Sequence, residues 1–267
     1  MAGYGEKYGP WALVTGASGG IGAEYARQLA ARGLNVVLVA RRLEKLNDVA
    51  ASLKEQNKDV ATRVVAADLS DVRRGVDKVV EAVADLEIGL LVNNAGSEHI
   101  GDFEEGDLDV YSTMNDLNTG APLRLTAALS KPMVQRGRGG IIFVSSGIAL
   151  APYSYLATYG ATKAFVKYLG DALSFELAPK GVDVEVVCPG FTATDMVDRA
   201  TAKLDPYKLP GVSVLPVKDV VTPSLDKLGR DRTVIPGLNN AIVDWVTSVI
   251  PMGLGPMIRT AIKHAMS

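Results

Sequence analysis

The chain has 267 residues, 48% of them hydrophobic, and its 28 basic and 30 acidic side chains nearly cancel. This length suits one α/β domain with a full core better than two domains. The balanced charge, without a dense Lys/Arg block, gives no reason to expect a nucleic-acid partner.

Several other classes of protein lack their signatures here. Two histidines and one cysteine offer too few nitrogen and sulfur ligands for a metal site, and a serine hydrolase would carry a G-x-S-x-G pentapeptide. The first ten residues lack the basic start and apolar run of a signal peptide, and no apolar stretch reaches the roughly 18 residues of a membrane span. The lone Cys188 favours a reducing compartment, the cytoplasm, and a buried position for itself. We therefore expect a soluble protein.

Short runs rich in valine and isoleucine alternate with segments of helical spacing. The runs are WALVT, NVVLVA, TRVVAA, LLVNNA, IIFVSS and VEVVC, beginning at positions 11, 35, 62, 90, 141 and 184. Helices are predicted for residues 23–32, 43–56, 72–85, 108–136 and 158–179, with Gly33 and Gly181 as C-terminal caps. This alternation indicates an α/β fold, a doubly wound and mostly parallel sheet with helices on both faces, in a single domain over residues 1–267.

The chain after Pro189 is different in character. Four prolines interrupt residues 192–228, and this irregular stretch with a short helix is interpreted as a substrate loop or lid. Residues 239–267 form an apolar C-terminal extension, for which subunit packing, a wall of the substrate pocket and contact with a membrane surface all remain open.

The octapeptide TGASGGIG follows the first strand directly and opens onto a helix. Gly16 allows a sharp turn, Gly20 a close approach of the backbone to a pyrophosphate, and Gly22 close packing of the helix on the strand. Ser18 and Ile21 belong to the same loop. Since strand and helix supply the context that such a motif requires, we expect phosphate groups to bind at the helix N-terminus; the alternative is a tight turn without a ligand.

The end of the second strand bears on the choice of dinucleotide. An NAD site usually has a carboxylate there for the ribose 2′-hydroxyl, whereas this chain has Arg41 and Arg42. Two guanidinium groups suit a 2′-phosphate, so NADP(H) is predicted in preference to NAD(H). The arginines could instead be merely solvated, and Glu44 one turn later complicates the choice.

Two further strands end in polar residues. Asp68, followed by Leu69, ends the third strand, where a carboxylate could meet an adenine amino group. Asn94, Ala95 and Gly96 of the NNAG sequence end the fourth, at the edge where open α/β sheets bind ligands. An asparagine-stabilised turn is the alternative for NNAG.

A tyrosine and a lysine, Tyr159 and Lys163, are four residues apart on a predicted helix and therefore share one face. An ammonium next to a phenol, whose ordinary pKa is about 10, favours the phenolate and is expected to lower that pKa toward neutrality. Ser145 and Ser146 end the fifth strand, where a hydroxyl could donate to a substrate carbonyl oxygen. Asn118, in the middle of the long predicted helix, could hold a water in a proton relay.

These motifs, in this order, resemble the short-chain dehydrogenase/reductase family in its compact single-domain branch, from about residue 11 to residue 237. TGASGGIG is similar to the family's T-G-x-x-x-G-x-G, and NNAG is identical to its motif after the fourth strand. PGFTAT is similar to the segment that contacts the nicotinamide carboxamide and phosphates, which implies cofactor contacts at Pro189, Gly190, Thr192 and Thr194. The resemblance also implies a Rossmann-like sheet of seven strands.

The family's catalytic tetrad is similar to Asn118, Ser146, Tyr159 and Lys163, and the thirteen-residue spacing to the tyrosine selects Ser146 over Ser145. By this resemblance Tyr159 protonates the carbonyl oxygen while hydride arrives from the nicotinamide. Lys163 lowers the pKa of the tyrosine and binds the nicotinamide ribose. Ser146 holds the carbonyl oxygen and Asn118 the relay water.

The resemblance implies an NADP(H)-dependent oxidoreductase that interconverts a ketone and a secondary alcohol, assembled as a homodimer or homotetramer. Similarity of the second-strand region and the apolar tail to reductases of steroid and 3-oxoacyl substrates suggests a hydrophobic substrate. The alternative is a non-catalytic NADP(H)-binding sensor, although such proteins typically lose the Tyr or the Lys. A sugar epimerase of the extended branch would carry T-G-x-x-G-x-x-G and a larger C-terminal domain.

Overall fold

The computed structural model describes residues 3–194 and 213–237, which contain one seven-stranded sheet in the order β3-β2-β1-β4-β5-β6-β7. The strands are β1 (Trp11–Thr15), β2 (Asn35–Ala40), β3 (Thr62–Ala66), β4 (Ile88–Asn93), β5 (Gly139–Val144), β6 (Val182–Val187) and β7 (Thr233–Val234). Every neighbouring pair is parallel. The predicted doubly wound fold is confirmed, and the sheet is parallel throughout.

Each helix predicted from the sequence is present. The helices are α1 (Tyr4–Tyr8), α2 (Gly20–Ala31), α3 (Leu43–Gln56), α4 (Val72–Ala82), α5 (Leu108–Asn115), α6 (Ala121–Arg136), α7 (Ala157–Leu177) and α8 (Val217–Lys227), with 3-10 turns at Gly147–Leu150 and Ala178–Lys180. A π-helical turn, Asp116–Gly120, joins α5 to α6, so the predicted long helix is one continuous run with a widened turn. Gly33 and Gly181 have φ values of +84° and +78°, as glycine caps require.

Successive strand residues point to opposite faces of the sheet, and both faces are buried. Leu13, Leu91 and Phe143 belong to the core on the α4, α6 and α7 side. Val14 and Val92 belong to the core under α2, α3 and α8. Burial on both faces explains why the strands are continuous apolar runs rather than alternating ones.

The N-terminal helix α1 was not predicted from the sequence. Its Tyr8 is 1% exposed, and the phenol donates to Asp183 Oδ2 at 2.9 Å and to the Leu228 carbonyl at 3.2 Å. A Cβ on Gly89 would lie 1.4 Å from the Tyr8 carbonyl oxygen, so glycine is required there. Helix α1 thus closes the amino-terminal edge of the sheet.

Helix α8 corrects part of the predicted lid. Val220, Val221 and Ser224 are fully buried, and the Tyr25 phenol of α2 donates to Ser224 Oγ at 2.7 Å. This part of residues 192–228 is core, because its apolar face packs on α2 and the sheet. Residues 195–212 of the predicted lid and the predicted extension 239–267 lie outside the described residues. Within the described ranges, no helix has the length and apolar character needed to cross a bilayer.

Candidate active site

The carboxyl ends of β1 and β4 bound a crevice at the centre of the sheet. From β1 the chain proceeds outward to β2 and β3, and from β4 it proceeds outward the other way, so this is the topological switch point where such sheets bind ligands. Thr15 Oγ1 donates to the Val92 carbonyl at 3.2 Å and accepts the N–H groups of Asn94 and Ala95 at 2.9 and 3.0 Å. Asn94 Nδ2 donates back to the Thr15 carbonyl at 2.8 Å. These hydrogen bonds fix the ends of β1 and β4 relative to each other on the two sides of the crevice.

The glycine loop fits a phosphate group by two observations. Gly16 and Gly20 have φ values of +67° and +54°, and a Cβ on Gly22 would lie 2.3 Å from the Gly16 carbonyl oxygen. The N-cap residue of α2, Gly19, has no side chain to cap the helix, so first-turn N–H groups are left for an anion. Thr194 lies against this loop, since a Cβ on Gly20 would be 2.9 Å from Thr194 Cγ2.

The two arginines after β2 are exposed at the same edge of the sheet. Arg42 Nη2 donates to Ser18 Oγ of the glycine loop at 3.3 Å. Burial acts to raise the pKa of Asp68, but hydrogen bonds from Ser70 and the charge of Arg41 lower it overall. The structure thus brings together Ser18, Arg41, Arg42 and Asp68, which the sequence had placed on separate loops.

The remaining predicted cofactor contacts lie around the crevice in different environments. Leu69 is 3% exposed and its side chain is part of the core, so only its backbone is available to contact a nucleotide. Ile21 also packs on the core. The Pro189 carbonyl accepts the N–H of Gly147 at 2.8 Å, and Thr192 Oγ1 donates to the Gly190 carbonyl at 3.1 Å. These bonds hold the PGFTAT segment beside the end of β5.

Lys163 extends from α7 to the end of β5. It is 6% exposed, and Nζ donates to the Val144 carbonyl at 3.0 Å. Ser145 Oγ donates to the backbone carbonyl of Lys163 at 2.7 Å, which gives this serine a structural partner and leaves Ser146 for the cleft. A Cβ on Gly96 would lie 3.3 Å from Nζ. The NNAG glycine therefore makes room for the amino group.

Tyr159 is partly exposed in the cleft, yet its hydroxyl is surrounded by enough protein that burial raises its pKa to about 12. A hydrogen-bonding interaction with Ser146 acts to lower this pKa, and the charge of Glu98 acts to raise it. The predicted direction of the shift was wrong. Lys163 Nζ lies 5.9 Å from the centre of the Tyr159 ring, and desolvation outweighs any help that the amine gives.

The pKa of Lys163 is itself lowered to about 8, chiefly by burial, with Cys188 and Glu98 acting in the opposite direction. Burial raises the pKa of the Cys188 thiol to about 12, so the thiol is neutral near pH 7 and the effective counter-charge is Glu98. Sequence reasoning missed this residue. Its position, two residues after NNAG, was the available signal.

Asn118 lies in the π-helical turn and is 2% exposed. Its Nδ2 donates to the Ser97 carbonyl and to Thr162 Oγ1, each at 2.9 Å, and its Oδ1 accepts the Ser97 N–H at 2.9 Å. Thr162 Oγ1 in turn donates to the Tyr159 carbonyl at 2.8 Å. The side-chain amide is a clamp between the loop after β4 and α7. Both of its N–H groups are used, so a relay water, which stays a prediction, would have only the amide oxygen to bind in this side chain.

A small apolar cluster surrounds the reacting side of Tyr159. Ile100 and Leu156 are buried, and Tyr159 packs against them together with Ile148, Tyr153, Tyr155 and Phe191. This cluster is the candidate wall of a substrate pocket. Among the described residues, no group of three or more His, Cys, Asp or Glu side chains is arranged to hold a metal ion.

Comparison with known proteins assigns the family. A family model described as short chain dehydrogenase matches residues 10–205. The chain belongs to this family. It is an oxidoreductase of the short-chain dehydrogenase/reductase type that acts on CH–OH groups, and the fold of these enzymes binds NAD(P).

Among its relatives, the very-long-chain 3-oxoacyl-CoA reductase of Macaca fascicularis is 34% identical over 258 residues, which cover 94% of this chain and 78% of that protein. A short-chain dehydrogenase from Sphingobium yanoikuyae in complex with NADPH has a TM-score of 0.80 and 37% identity, over 88% of this chain and 90% of that one. The bulky-bulky ketone specific alcohol dehydrogenase from Comamonas testosteroni has a TM-score of 0.76 and 35% identity, over 91% and 96% of the two chains.

Replacing Glu98 by glutamine tests the electrostatics of the site. The negative charge raises the pKa values of Tyr159 and Lys163, so its removal lowers both. Loss of the Lys163 proton near pH 8 is expected to give kcat/KM for ketone reduction an alkaline limb, and this limb should move to lower pH in Glu98→Gln. Glu98→Asp keeps the charge and should keep the wild-type profile. Identical profiles for Glu98→Gln and wild type would contradict the assignment.

Proposed function

We propose that this chain is an NADP(H)-dependent oxidoreductase that interconverts a ketone and a secondary alcohol of hydrophobic character, with Tyr159 as the general acid and base. One observation carries the proposal. The Tyr159 hydroxyl interacts with Ser146 at the same edge of the sheet as the glycine loop, and Lys163 Nζ is fixed at the end of β5.

Each of these side chains has a task that its surroundings support. A bound nicotinamide supplies or accepts the hydride at the carbonyl carbon. Because the pKa of Tyr159 is about 12, the phenol carries its proton near neutral pH and can donate it to the carbonyl oxygen. Ser146 can donate to the same oxygen as negative charge develops on it. A proton on the Tyr159 phenol suits reduction better than oxidation, which requires the phenolate.

The positive charge of Lys163 supports proton donation by stabilising its product, the phenolate. With a pKa of about 8, the buried amine is still mostly protonated near pH 7. An ammonium close to the phenol stabilises the phenolate left after the proton has gone to the substrate. The bond from Nζ to Val144 uses one of its three N–H groups, and the others remain for a ribose hydroxyl.

Preference for NADP(H) is supported by the exposed pair Arg41 and Arg42 at the end of β2. Arg42 already contacts the glycine loop through Ser18, which places its guanidinium beside the phosphate site. The Sphingobium yanoikuyae relative is a complex with NADPH. Asp68 lies near Arg41 and one strand further from the crevice, at the end of β3, so Asp68 does not replace the missing carboxylate of an NAD site.

A hydrophobic substrate is supported by the apolar cluster around Tyr159, which includes Ile148, Tyr153 and Phe191. The names of two relatives point the same way, one to very-long-chain 3-oxoacyl-CoA and the other to bulky-bulky ketones. Of the loop after β4, Glu98 is the charged residue that acts on the pKa of Tyr159, whereas Ile100 belongs to the apolar cluster. A ketone flanked by apolar groups therefore matches this side of the cleft.

Self-association is a further part of the proposal. On α7, Phe165, Tyr168 and Phe175 are 40%, 80% and 60% exposed, and on α5 Leu108 is 74% exposed. A groove of about 610 Å³ runs between α5 and α7. Apolar side chains concentrated on one pair of helices favour a second copy of the chain as partner.

The cytoplasm stays the proposed location, on the basis of the single cysteine.

Tyr159→Phe tests the chemistry directly. Removal of the hydroxyl takes away the proton donor, so kcat for NADPH-dependent ketone reduction should fall about 100- to 10,000-fold. The dissociation constant for NADPH should stay within about twofold, because the ring and α7 are kept. Tyr168→Phe removes an exposed hydroxyl from the same helix, outside the apolar cluster around Tyr159, so it is the matched control and should keep activity. Undiminished turnover in Tyr159→Phe would refute the mechanism, and a wild-type protein that binds NADPH but reduces no ketone would favour a sensor.

Arg42→Ala tests the cofactor preference. Loss of a charge-assisted contact to the 2′-phosphate should raise KM for NADPH about tenfold or more while leaving KM for NADH nearly unchanged. Lys54→Ala is the control, because Lys54 is a cation at the far end of α3, about 18 Å along the helix. Equal effects on the two cofactors would argue against the 2′-phosphate role.

Tyr168→Asp tests the proposed subunit contact. A charge in the centre of the apolar face of α7 should shift the protein to monomers in sedimentation velocity, with the far-ultraviolet circular dichroism unchanged. Leu43→Asp places the same charge on an exposed apolar residue of α3, 52% exposed, and should leave the assembly intact. A monomeric wild-type protein, or an assembly that survives Tyr168→Asp, would contradict the contact.

A further inference from the structure

Tyr155 has a backbone conformation that distinguishes it from other side-chain-bearing residues. Within residues 3–194 and 213–237 it is the only non-glycine residue with a positive φ, +66°. Left-handed backbone is disfavoured for bulky residues because Cβ approaches the following carbonyl oxygen. Such strain persists only where surrounding contacts impose it, and it concentrates at ligand sites.

The backbone of Tyr155 also takes part in a hydrogen bond that links two loops. The N–H of Gly101 donates to the Tyr155 carbonyl at 3.0 Å, and Gly101 itself has a φ of +153° that side-chain-bearing residues rarely adopt. This bond joins the loop after β4 to the loop before α7. Both loops approach Tyr159, the first through Glu98 and Ile100 and the second through Leu156.

Tyr155 borders both a cavity and the apolar cluster around Tyr159. On one side it packs on the Ile100–Leu156 pair, against which the reacting Tyr159 also packs. On the other side it lines a cavity of about 210 Å³, together with His99, Asp102, Phe103, Glu104, Tyr111 and Ser154. Tyr155 is the one residue common to the cavity lining and the apolar cluster. Tyr155 therefore lies at the boundary between the cavity and the apolar cluster that includes Tyr159.

We propose that Tyr155, held in its strained backbone conformation by the Gly101 bond, is the wall that limits the size of one substituent of the ketone. This inference rests on the proposed function and adds a specificity-determining residue to it. Without the ring, the 210 Å³ cavity joins the space beside Tyr159 and admits a second bulky group. The ring is positioned by the backbone, so the specificity depends on the strain as well as on the side chain.

The test compares ring-free and ring-containing variants on two ketones with NADPH. Tyr155→Gly and Tyr155→Ala remove the wall, and the ratio of kcat/KM for benzophenone to that for acetophenone should rise about tenfold or more. Tyr155→Phe keeps the ring and should keep the ratio within twofold. Tyr155→Trp enlarges the wall and should lower the ratio, which provides a test even if the ring-free variants fail to fold.

Thermal denaturation of the same variants tests the strain. Glycine adopts a φ of +66° without strain, whereas alanine adopts it only at a cost in free energy, so Tyr155→Gly should melt at least about 2 °C above Tyr155→Ala. Equal melting temperatures would show that the backbone is not strained and would overturn that part of the proposal.

The outcomes separate the inference from the function on which it rests. If wild type reduces neither ketone, the proposed function fails and the wall fails with it. If wild type turns over and the ratio is unchanged in the ring-free and Trp variants, or moves toward acetophenone in the ring-free variants, only the wall is overturned.

Discussion

The candidate active site depends on a set of side-chain hydrogen bonds which, together with the short backbone segment from Asn94 to Ser97, runs from the glycine loop to Tyr159. It begins at Thr15, which ties the end of β1 to Asn94 in the chain after β4. Three residues later Ser97 is clamped on both of its backbone groups by Asn118. Asn118 continues to Thr162, and Thr162 to the Tyr159 carbonyl. The proposed phosphate site and the proposed proton donor, on elements far apart in sequence, are thereby fixed relative to each other.

Burial, rather than the pairing of Tyr159 with Lys163, dominates the charges in this site. Desolvation disfavours the charged form of both groups, so it raises the pKa of the phenol and lowers that of the amine. Near pH 7 the result is a protonated phenol beside a mostly protonated amine, the state from which a carbonyl oxygen can be protonated. Glu98 shifts both pKa values upward and so preserves both protons. Burial of the hydroxyl thus favours the protonated phenol, and the negative charge of Glu98 favours the protonated amine.

The sequence predicted the parts of this site that local patterns encode. Apolar runs between helical segments gave the strands, and the edge of the sheet followed from where each run ends, which brought Ser146 and Asn94 to one crevice. The features that could not be predicted from the sequence depend on contacts between distant segments. Helix α1 has five residues and is fixed by the bonds of Tyr8 to Asp183 and Leu228, too short a segment to show helical periodicity. The sign of the Tyr159 shift was wrong because spacing reports a neighbouring charge but not burial.

Helix α8 is a second feature that local sequence patterns could not predict. Its prolines suggested an irregular lid, yet Pro216 is its N-cap residue and Pro223 lies inside it. The helix tolerates them because buried Val220 and Val221 pack on the core, and such packing outweighs propensity. Polarity alone could not have shown that Ser224 is an interior residue, since its hydroxyl is satisfied only by Tyr25 and Glu185 from other elements.

Polar groups at the two edges of the sheet differ in how far they are paired within the protein. This difference is consistent with a ligand site at the carboxyl edge. At the amino-terminal edge, Arg138 pairs with Glu87 at 2.5 Å and Tyr8 bonds to Asp183, so these side chains satisfy one another, and the buried Arg136 Nε is the exception without a hydrogen-bond partner among the described residues. At the carboxyl edge the N-terminus of α2 has no side-chain cap, and the bond to the Val144 carbonyl uses only one of the three N–H groups of Lys163. A ligand stabilises a protein most where it satisfies donors that the fold has left without partners. The edge that folding leaves incomplete is therefore the edge at which a dinucleotide and a carbonyl compound can complete it.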